Sequence, residues 1–384
     1  MEPDSPRRHR ARQLLVTLGV VTVLVILYAS PRELRTVIRN GVFRNQTHPS
    51  GMTSLRNNSS DNHQNNDASA WKFPIRVLGR FRHDSSSTVD RSSEVVHVLL
   101  IFANVNEARN MREKLAICLG SLLALSSVPL RLYIVTDIAS ADVARQVLAD
   151  ASAKASSDVL AELLHMDDML APLEDLVSFL QPHFSSHGYY GKKLFFLSTG
   201  LHRLFPKGVR RLILLDVDLH LRSDIALLHK HFAQFPPGAI MGLAHELQPV
   251  YRHCLHKYRQ QHPGTTCGEP APRGNPGFNS GVLLIDLKAV QSSSTYKKFL
   301  TADGVQWLVK KYSFGGNLGD QDFYSLLSWE FPELFYVLPC TWNRQLCEWW
   351  RHHGYADVFD EYHRCNGTVH IYHGNCNASI PSVR

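Results

Sequence analysis

Arg210-Arg211-Leu212-Ile213-Leu214-Leu215-Asp216-Val217-Asp218-Leu219 drives four apolar residues into two carboxylates separated by one residue. The apolar run reads as a strand buried on both faces of an α/β sheet. Ligands of such sheets bind beyond the carboxyl ends of the strands, which is where Asp216 and Asp218 stand. Carboxylates at i and i+2 reach one hard divalent cation where the chain bends, and Mg²⁺ or Mn²⁺ sites of this kind are usually completed by substrate phosphates. A nucleoside-diphosphate donor is the first expectation. The competing reading has Asp218 or Asp224 capping a helix and Asp216 paired with an arginine, and a lone Asp-x-Asp is short enough to arise by chance. The company the motif keeps decides between them.

Upstream, Val95 to Phe102 is a mostly apolar strand that stops at Ala103-Asn104. Leu115, Cys118, Leu119 and Leu122 follow at helical spacing, and Leu130 to Val135 is a second strand ending in Thr136-Asp137. Strand, helix and strand at these intervals predict a parallel βαβ unit. The spacing predicts a helix over 142–164 and another over 193–205, the latter covering the sheet with Leu194, Leu197, Leu201 and Leu204. Short apolar strands at 239–244 and 281–285 complete a single α/β domain with a mixed central sheet. No internal repeat of solenoid or propeller length occurs.

The 384 residues suffice for one large or two ordinary domains. Leu14 to Ala29 is an apolar run behind Arg7, Arg8, Arg10 and Arg12. Leu27 spoils the small-residue cleavage pattern, so the run reads as an uncleaved signal anchor rather than a removed signal peptide. The expected organisation is a cytosolic tail at 1–13, an anchor at 14–30, a disordered polar stem at 31–92 and the catalytic domain at 93–384. Asn45, Asn57, Asn58, Asn366 and Asn377 each open an Asn-x-Ser/Thr sequon beyond the span. Four of the seven cysteines, Cys340, Cys347, Cys365 and Cys376, crowd the last 45 residues and are expected to pair among themselves. Cys254 with Cys267 is expected as a local bridge, and Cys118 as a buried thiol. These features suit a luminal, oxidising compartment; without a Cys-x-x-Cys spacing, a zinc site is disfavoured. The net charge of +7 invites a nucleic-acid partner, but 13 Lys/Arg and 5 Asp/Glu lie in residues 1–83. The 28 basic and 29 acidic residues beyond sum to −1, so no basic footprint remains for a polyanion.

Three further stretches carry polar groups where a ligand would need them. Gly277-Phe278-Asn279-Ser280-Gly281 places an amide and two glycines just before a strand, which suits sugar hydroxyls. Gly319-Asp320-Gln321-Asp322 opens an amphipathic stretch, with Asp320 expected as its N-cap. Thr368 to His373 is a last strand in which His370 lies within and His373 falls at the exit before Gly374, making His373 the better ligand.

Taken in order, Asp216-Val217-Asp218, Asn279-Ser280-Gly281, Asp320-Gln321-Asp322 and His373-Gly374 resemble the family 8 retaining glycosyltransferases over roughly residues 95–376. Gln248 to His253, Pro276 to Gly281, Gly319 to Phe323, Cys340 to Cys347 and Ile371 to Asn377 are similar to the branch that xylosylates xylosides. The resemblance implies a GT-A-type nucleotide-diphospho-sugar transferase domain with a mixed, mainly parallel sheet. It implies Mn²⁺, with Mg²⁺ as a substitute, on Asp216, Asp218 and His373. The donor, UDP-xylose, is expected against Phe102, Ala103, Asn104, Val217, Asn279, Ser280, Asp320, Gln321, Gly374 and Asn375. Gln321 and Asp320 are the expected catalytic pair. Gln321 is an amide and a poor nucleophile, which favours attack on the leaving-group face, while Asp320 and Asp322 keep double displacement open. Tyr251, His253, Trp342, Asn343 and Trp349, with Trp350 and Tyr355, form either an acceptor platform or a disulfide-stapled core cluster. The implied acceptor is a xylosyl-glucose O-glycan on EGF-like repeats of Notch-type proteins, extended in α-1,3 linkage by a type II protein of the endoplasmic reticulum membrane. One departure stands out: Asn375-Cys376-Asn377 replaces the Lys-Pro-Trp that commonly follows the late His-Gly, leaving Lys192 or Lys193 as the candidate phosphate partner. The alternatives are a luminal glycan-binding pseudoenzyme and a related transferase using UDP-glucose or UDP-galactose.

Overall fold

Short strings of Val, Ile and Leu build the central sheet of the computed structural model, which describes residues 76–81, 94–107, 110–184 and 192–381, the first of these as backbone only. The strands are β1 (Arg76–Phe81), β2 (Val96–Ile101), β3 (Leu130–Thr136), β4 (Val159–His165), β5 (Arg211–Leu215), β6 (Leu219–Leu221), β7 (Met241–His245), β8 (Phe278–Asp286), β9 (Phe335–Leu338), β10 (Arg344–Gln345) and β11 (Ile371–His373). Eight of them form a mixed, mainly parallel sheet in the order β1-β4-β3-β2-β5-β8-β7-β9. Val98, Leu132, Ile213, Val282 and Leu284 are fully buried in it, each stabilising the fold by roughly 1.5–3 kcal/mol relative to exposure.

The helices used below are α1 (Met111–Leu125), α2 (Ile138–Ser152), α3 (Leu197–Leu204), α4 (Val250–Cys254), α5 (Asp320–Glu330) and α6 (Ala356–His363). Helix α1 buries Leu115, Cys118, Leu119 and Leu122 as their spacing predicts. Asp137 caps α2 by accepting from the Ser140 amide at 2.7 Å. Leu194, Leu197, Leu201 and Leu204 are buried on a 3₁₀ turn leading into α3.

Sheet direction assembles the site. β2 runs parallel to β3 and β5, whereas β8 runs antiparallel to both β5 and β7. The start of β8, at Phe278 to Gly281, therefore lies beside the exits of β5 and β7: Leu215 pairs with Val282 and His245 with Phe278. A second sheet, ordered β10-β11-β6, closes over this end. Its antiparallel register sets His373 opposite Leu219, the residue that follows Asp218.

Three expectations need correction. The helix expected over 142–164 ends at Ser152, and Val159–His165 is strand β4, paired in parallel register with β3. A seven-residue run with Ala161, Leu163 and Leu164 buried between two strands satisfies helical and strand spacing alike, and the polar break at Ser156 to Asp158 separates the two elements. Strand β1 falls inside the stretch expected as disordered stem; its backbone pairs antiparallel with β4, supplying the hydrogen bonds an open edge would lack. Cys254 and Cys267 carry free thiols. The buried Cys254 thiol lies in the field of Asp322, whereas Cys267 is beside Thr265 and Tyr312. The C-terminal four pair among themselves as Cys340–Cys365 and Cys347–Cys376, and Cys118 is a buried thiol. The anchor at 14–30 lies outside the described residues, among which no helix is long and apolar enough to cross a membrane.

Candidate active site

At the exit of β5 the chain turns through Asp216-Val217-Asp218 into β6, and β11 brings His373 over it. One donor atom from each of Asp216, Asp218 and His373 lies within 4.8 Å of the others. His373 Nε2 is 3.3 Å from Asp218 Oδ1 and 3.6 Å from Asp216 Oδ2. The imidazole is buried, while the Asp216 side chain is half exposed. Two oxygen donors and one nitrogen facing an open side suit a hard or borderline divalent ion whose remaining positions are filled by phosphate or water.

The ring is held in one orientation. His373 Nδ1 donates to Asn343 Oδ1 at 2.9 Å, which turns Nε2 toward the carboxylates. Asn343 Nδ2 donates to Asn279 Oδ1 at 2.8 Å, and Asn279 Nδ2 to Glu246 Oε2 at 3.0 Å. Glu246 also accepts from Gln321 Nε2 at 3.2 Å and from Gln248 Nε2 at 3.4 Å. The Gln321 carbonyl accepts from the Ser280 amide at 3.2 Å. A chain of matched, buried amides thus links the ring to the helix that opens at Asp320. Strand β8 passes close beneath it: a Cβ on Gly281 would meet His373 Cε1 at 2.4 Å and Asp216 Oδ2 at 3.0 Å, so only glycine fits.

Charge follows geometry. Burial alone would lower the proton affinity of His373, but the facing Asp218 and Asp216 carboxylates outweigh it and hold the imidazole above its ordinary value. Burial would raise Asp218, yet His373 and Lys114 hold it at about 2. Glu246 is pushed up to about 7 by burial. Asp320 is pushed up to about 7 by burial and by the charge of Asp216, and Asp322 to about 7 by burial.

No family model matches the chain. It is 44% identical over 295 residues to mouse xyloside xylosyltransferase 1, covering 74% of each protein, and 43% identical over the same span to the human protein of that name. The crystal structure of the mouse protein in its apo form matches with a TM-score of 0.72 and 42% identity, covering 75% of this chain and 100% of that one. The chain belongs to the xyloside xylosyltransferases.

In this member of the xyloside xylosyltransferases, the residues singled out from sequence separate into groups. Asp320 is not the cap of α5, because Gly319, at φ +67°, takes that position. Asp320 instead lies in the first turn, with its carboxylate on the Ser198 and Ser280 hydroxyls. Phe102, Ala103 and Val217 are buried, and Asn104 donates from its amide to Asp137 at 2.6 Å. The Gly374 amide donates to the Asp218 carbonyl at 2.8 Å. Asn375 Oδ1 accepts from the Leu346 and Cys347 amides, so its side chain pins the tail. His370 stacks on Trp342 and bonds Ser223, away from the carboxylates.

The residues expected at the acceptor divide sharply. Asn343 is fully buried and serves the His373 ring; Tyr251 is fully buried with its hydroxyl donating to Asp322; Trp342 packs in the core. His253, Trp349, Trp350 and Tyr355 instead form a partly exposed aromatic cluster, in which His253 bonds the Tyr355 hydroxyl at 2.8 Å and its ring lies 5.1 Å from that of Trp350. Neither lysine considered from sequence reaches the carboxylate pair by a described bond: Lys192 donates to Asn104 and Glu107, and Lys193 to Glu174. The cation beside Asp218 is Lys114 of α1, at 3.5 Å. Sequence reading missed it, along with Glu246 and with Ser198, whose hydroxyl joins Asp320 to the buried Tyr324 hydroxyl. Glu246 was accessible as a carboxylate at the exit of an apolar strand; Lys114 gave no signal, since a lysine in a first helical turn reads as solvent face.

Proposed function

We propose that this chain is a retaining, divalent-metal-dependent transferase that moves xylose from UDP-xylose, in α-1,3 linkage, to the xylose of a xylosyl-glucose O-glycan on EGF-like repeats. It does so in the lumen of the endoplasmic reticulum, anchored through residues 14–30. The observation that carries the reading is the Asp216, Asp218 and His373 cluster with its ring turned by Asn343, in a chain 44% identical to a xyloside xylosyltransferase. These three residues hold Mn²⁺, or Mg²⁺ in its place, and the ion when bound supplies Lewis acidity toward the leaving diphosphate.

The chain's own residues do the rest. Phe102, Ala103, Asn104, Val217, Gly374 and Asn375 border the nucleotide, and Asn279, Ser280, Asp320 and Gln321 face the donor sugar. Gln321 has both ends of its amide fixed, by Ser280 and Glu246, so it offers an oriented dipole and no nucleophile. Asp322 is fully buried and bound to the Tyr251 hydroxyl and the Leu318 amide. Asp320, with hydroxyls on both oxygens and a pKa of about 7, is a weakened nucleophile. This arrangement favours front-face attack: the anomeric carbon–phosphate oxygen bond breaks, the acceptor oxygen bonds the same face, and its proton passes to the departing phosphate. The exposed cluster of His253, Trp349, Trp350 and Tyr355 stacks on the acceptor.

The test is a donor panel. UDP-xylose, UDP-glucose and UDP-galactose are each offered with Mn²⁺ and a xylosyl-glucoside to the purified full-length chain. Transfer of xylose alone supports the reading; transfer of a hexose instead removes the donor assignment, and acceptor binding with no transfer identifies a glycan-binding protein.

A further inference from the structure

Among the described residues, one ammonium group stands against the carboxylate pair without belonging to the ligand set. Lys114 Nζ lies 3.5 Å from Asp218 Oδ2 and 2.9 Å from Asn377 Oδ1, on a side chain 22% exposed. It projects from the first turn of α1, which follows the loop leaving β2. The sheet places that loop and the β5 exit side by side.

We infer that Lys114 is the phosphate-neutralising cation of this site, resting on Asp218 when no divalent ion is present and moving onto the donor's diphosphate when one is. The inference rests on the donor reading above. Its first support is competition. Asp218 cannot serve a divalent ion and an ammonium group equally, because two cations on one carboxylate repel each other. Ion binding therefore drives the ammonium off Asp218, and a flexible four-carbon stem with three donors can follow the incoming phosphates.

Its second support is the nature of the other partner. Asn377 is neutral, so it holds the ammonium in place without cancelling its charge. The post itself is fixed: Cys376 and Asn377 adopt left-handed conformations at φ 56° and 59°, and Cys376 is tied to Cys347. Asn375 pins the same turn through two backbone amides. An aspartate at position 377 would trap the ammonium instead.

The experiment uses the full-length chain and two readouts that do not depend on turnover. Mn²⁺ binding without nucleotide is followed by the loss of the free-ion paramagnetic resonance signal, and UDP and uridine binding at saturating Mn²⁺ by calorimetry. Lys114→Ala is expected to tighten Mn²⁺ binding several-fold while weakening UDP by about ten- to hundredfold, the range of a charge-assisted contact, with uridine unchanged. Lys114→Arg should recover most of the UDP affinity, and Asn377→Asp should weaken UDP in the same direction as Lys114→Ala. Unchanged UDP affinity in Lys114→Ala, or parallel loss of Mn²⁺, UDP and uridine, overturns the inference while leaving the donor reading intact. An unaltered chain that binds no UDP with any divalent ion overturns both.

Discussion

The buried network behind His373 and the aromatic cluster near the C-terminus are built on opposite terms. From His373 through Asn343, Asn279 and Glu246 to Gln321, every side chain is buried and each amide has its donors and acceptors matched. The cluster of His253, Trp349, Trp350 and Tyr355 is partly exposed and held mainly by ring contacts, such as Trp350 to Tyr355 at 5.2 Å and Trp349 to His353 at 3.7 Å. A buried polar network tolerates one arrangement, since any unpaired member costs its full desolvation. Stacked rings tolerate many arrangements at little cost. The first suits a reaction that needs atoms placed to within an ångström, and the second a partner whose surface varies.

Breaking the network should therefore cost more than trimming the cluster. Asn343→Ala removes the acceptor for His373 Nδ1 and is expected to lower Mn²⁺ affinity and transfer together by about 10–100-fold, measured by metal titration and initial rates. Asn343→Asp still accepts from Nδ1 but sets a buried carboxylate oxygen against Asn279 Oδ1 in place of the Nδ2 donor, so it too is expected to lower both.

The buried acid makes the network sensitive to pH. Glu246 has its pKa raised to about 7 by burial, so the folded state binds its proton more tightly than the unfolded chain. The stability this proton contributes is fully present below the ordinary glutamate value, and it is lost as pH rises through about 7. The unaltered chain should lose stability relative to Glu246→Gln between about pH 5 and 8, by on the order of 2–3 kcal/mol. Denaturant unfolding of both proteins across that range checks it; a difference independent of pH would deny Glu246 this role.

The smallest effect belongs to the cluster. Trp350→Ala removes ring contacts worth about 1 kcal/mol. It is expected to raise the acceptor KM several-fold while leaving donor hydrolysis unchanged. Equal loss of both activities would place the ring in the structural core instead.

The same contrast explains what could be read from the chain. The cluster proposed to hold the ion was legible because its residues stand at strand ends, and an α/β sheet presents strand ends to its ligand. His373 could be preferred over His370 because it was expected at the strand exit; the strand runs from Ile371 to His373, so His370 stands before it rather than within it. The exchange of Asn343 from the acceptor surface to the His373 ring was not legible, because it depends on β10 and β11 pairing across the disulfides. Lys114 is 104 residues from Asp218 in sequence and meets it through the pairing of β2 with β5 and the packing of α1 on β6. Helical spacing hid β4, since a seven-residue run that is mostly buried between two strands satisfies either period.

Asp216, Asp218 and His373 are proposed to hold the ion on which transfer depends. Xylose transfer from UDP-xylose to a xylosyl-glucoside should be measured for the full-length chain and for Asp218→Asn, each with Mn²⁺ and with excess EDTA. The expected result is transfer abolished by EDTA and lowered on the order of 10³-fold by Asp218→Asn, the several kcal/mol that metal chemistry supplies. Transfer that persists in EDTA, or that Asp218→Asn leaves intact, contradicts it.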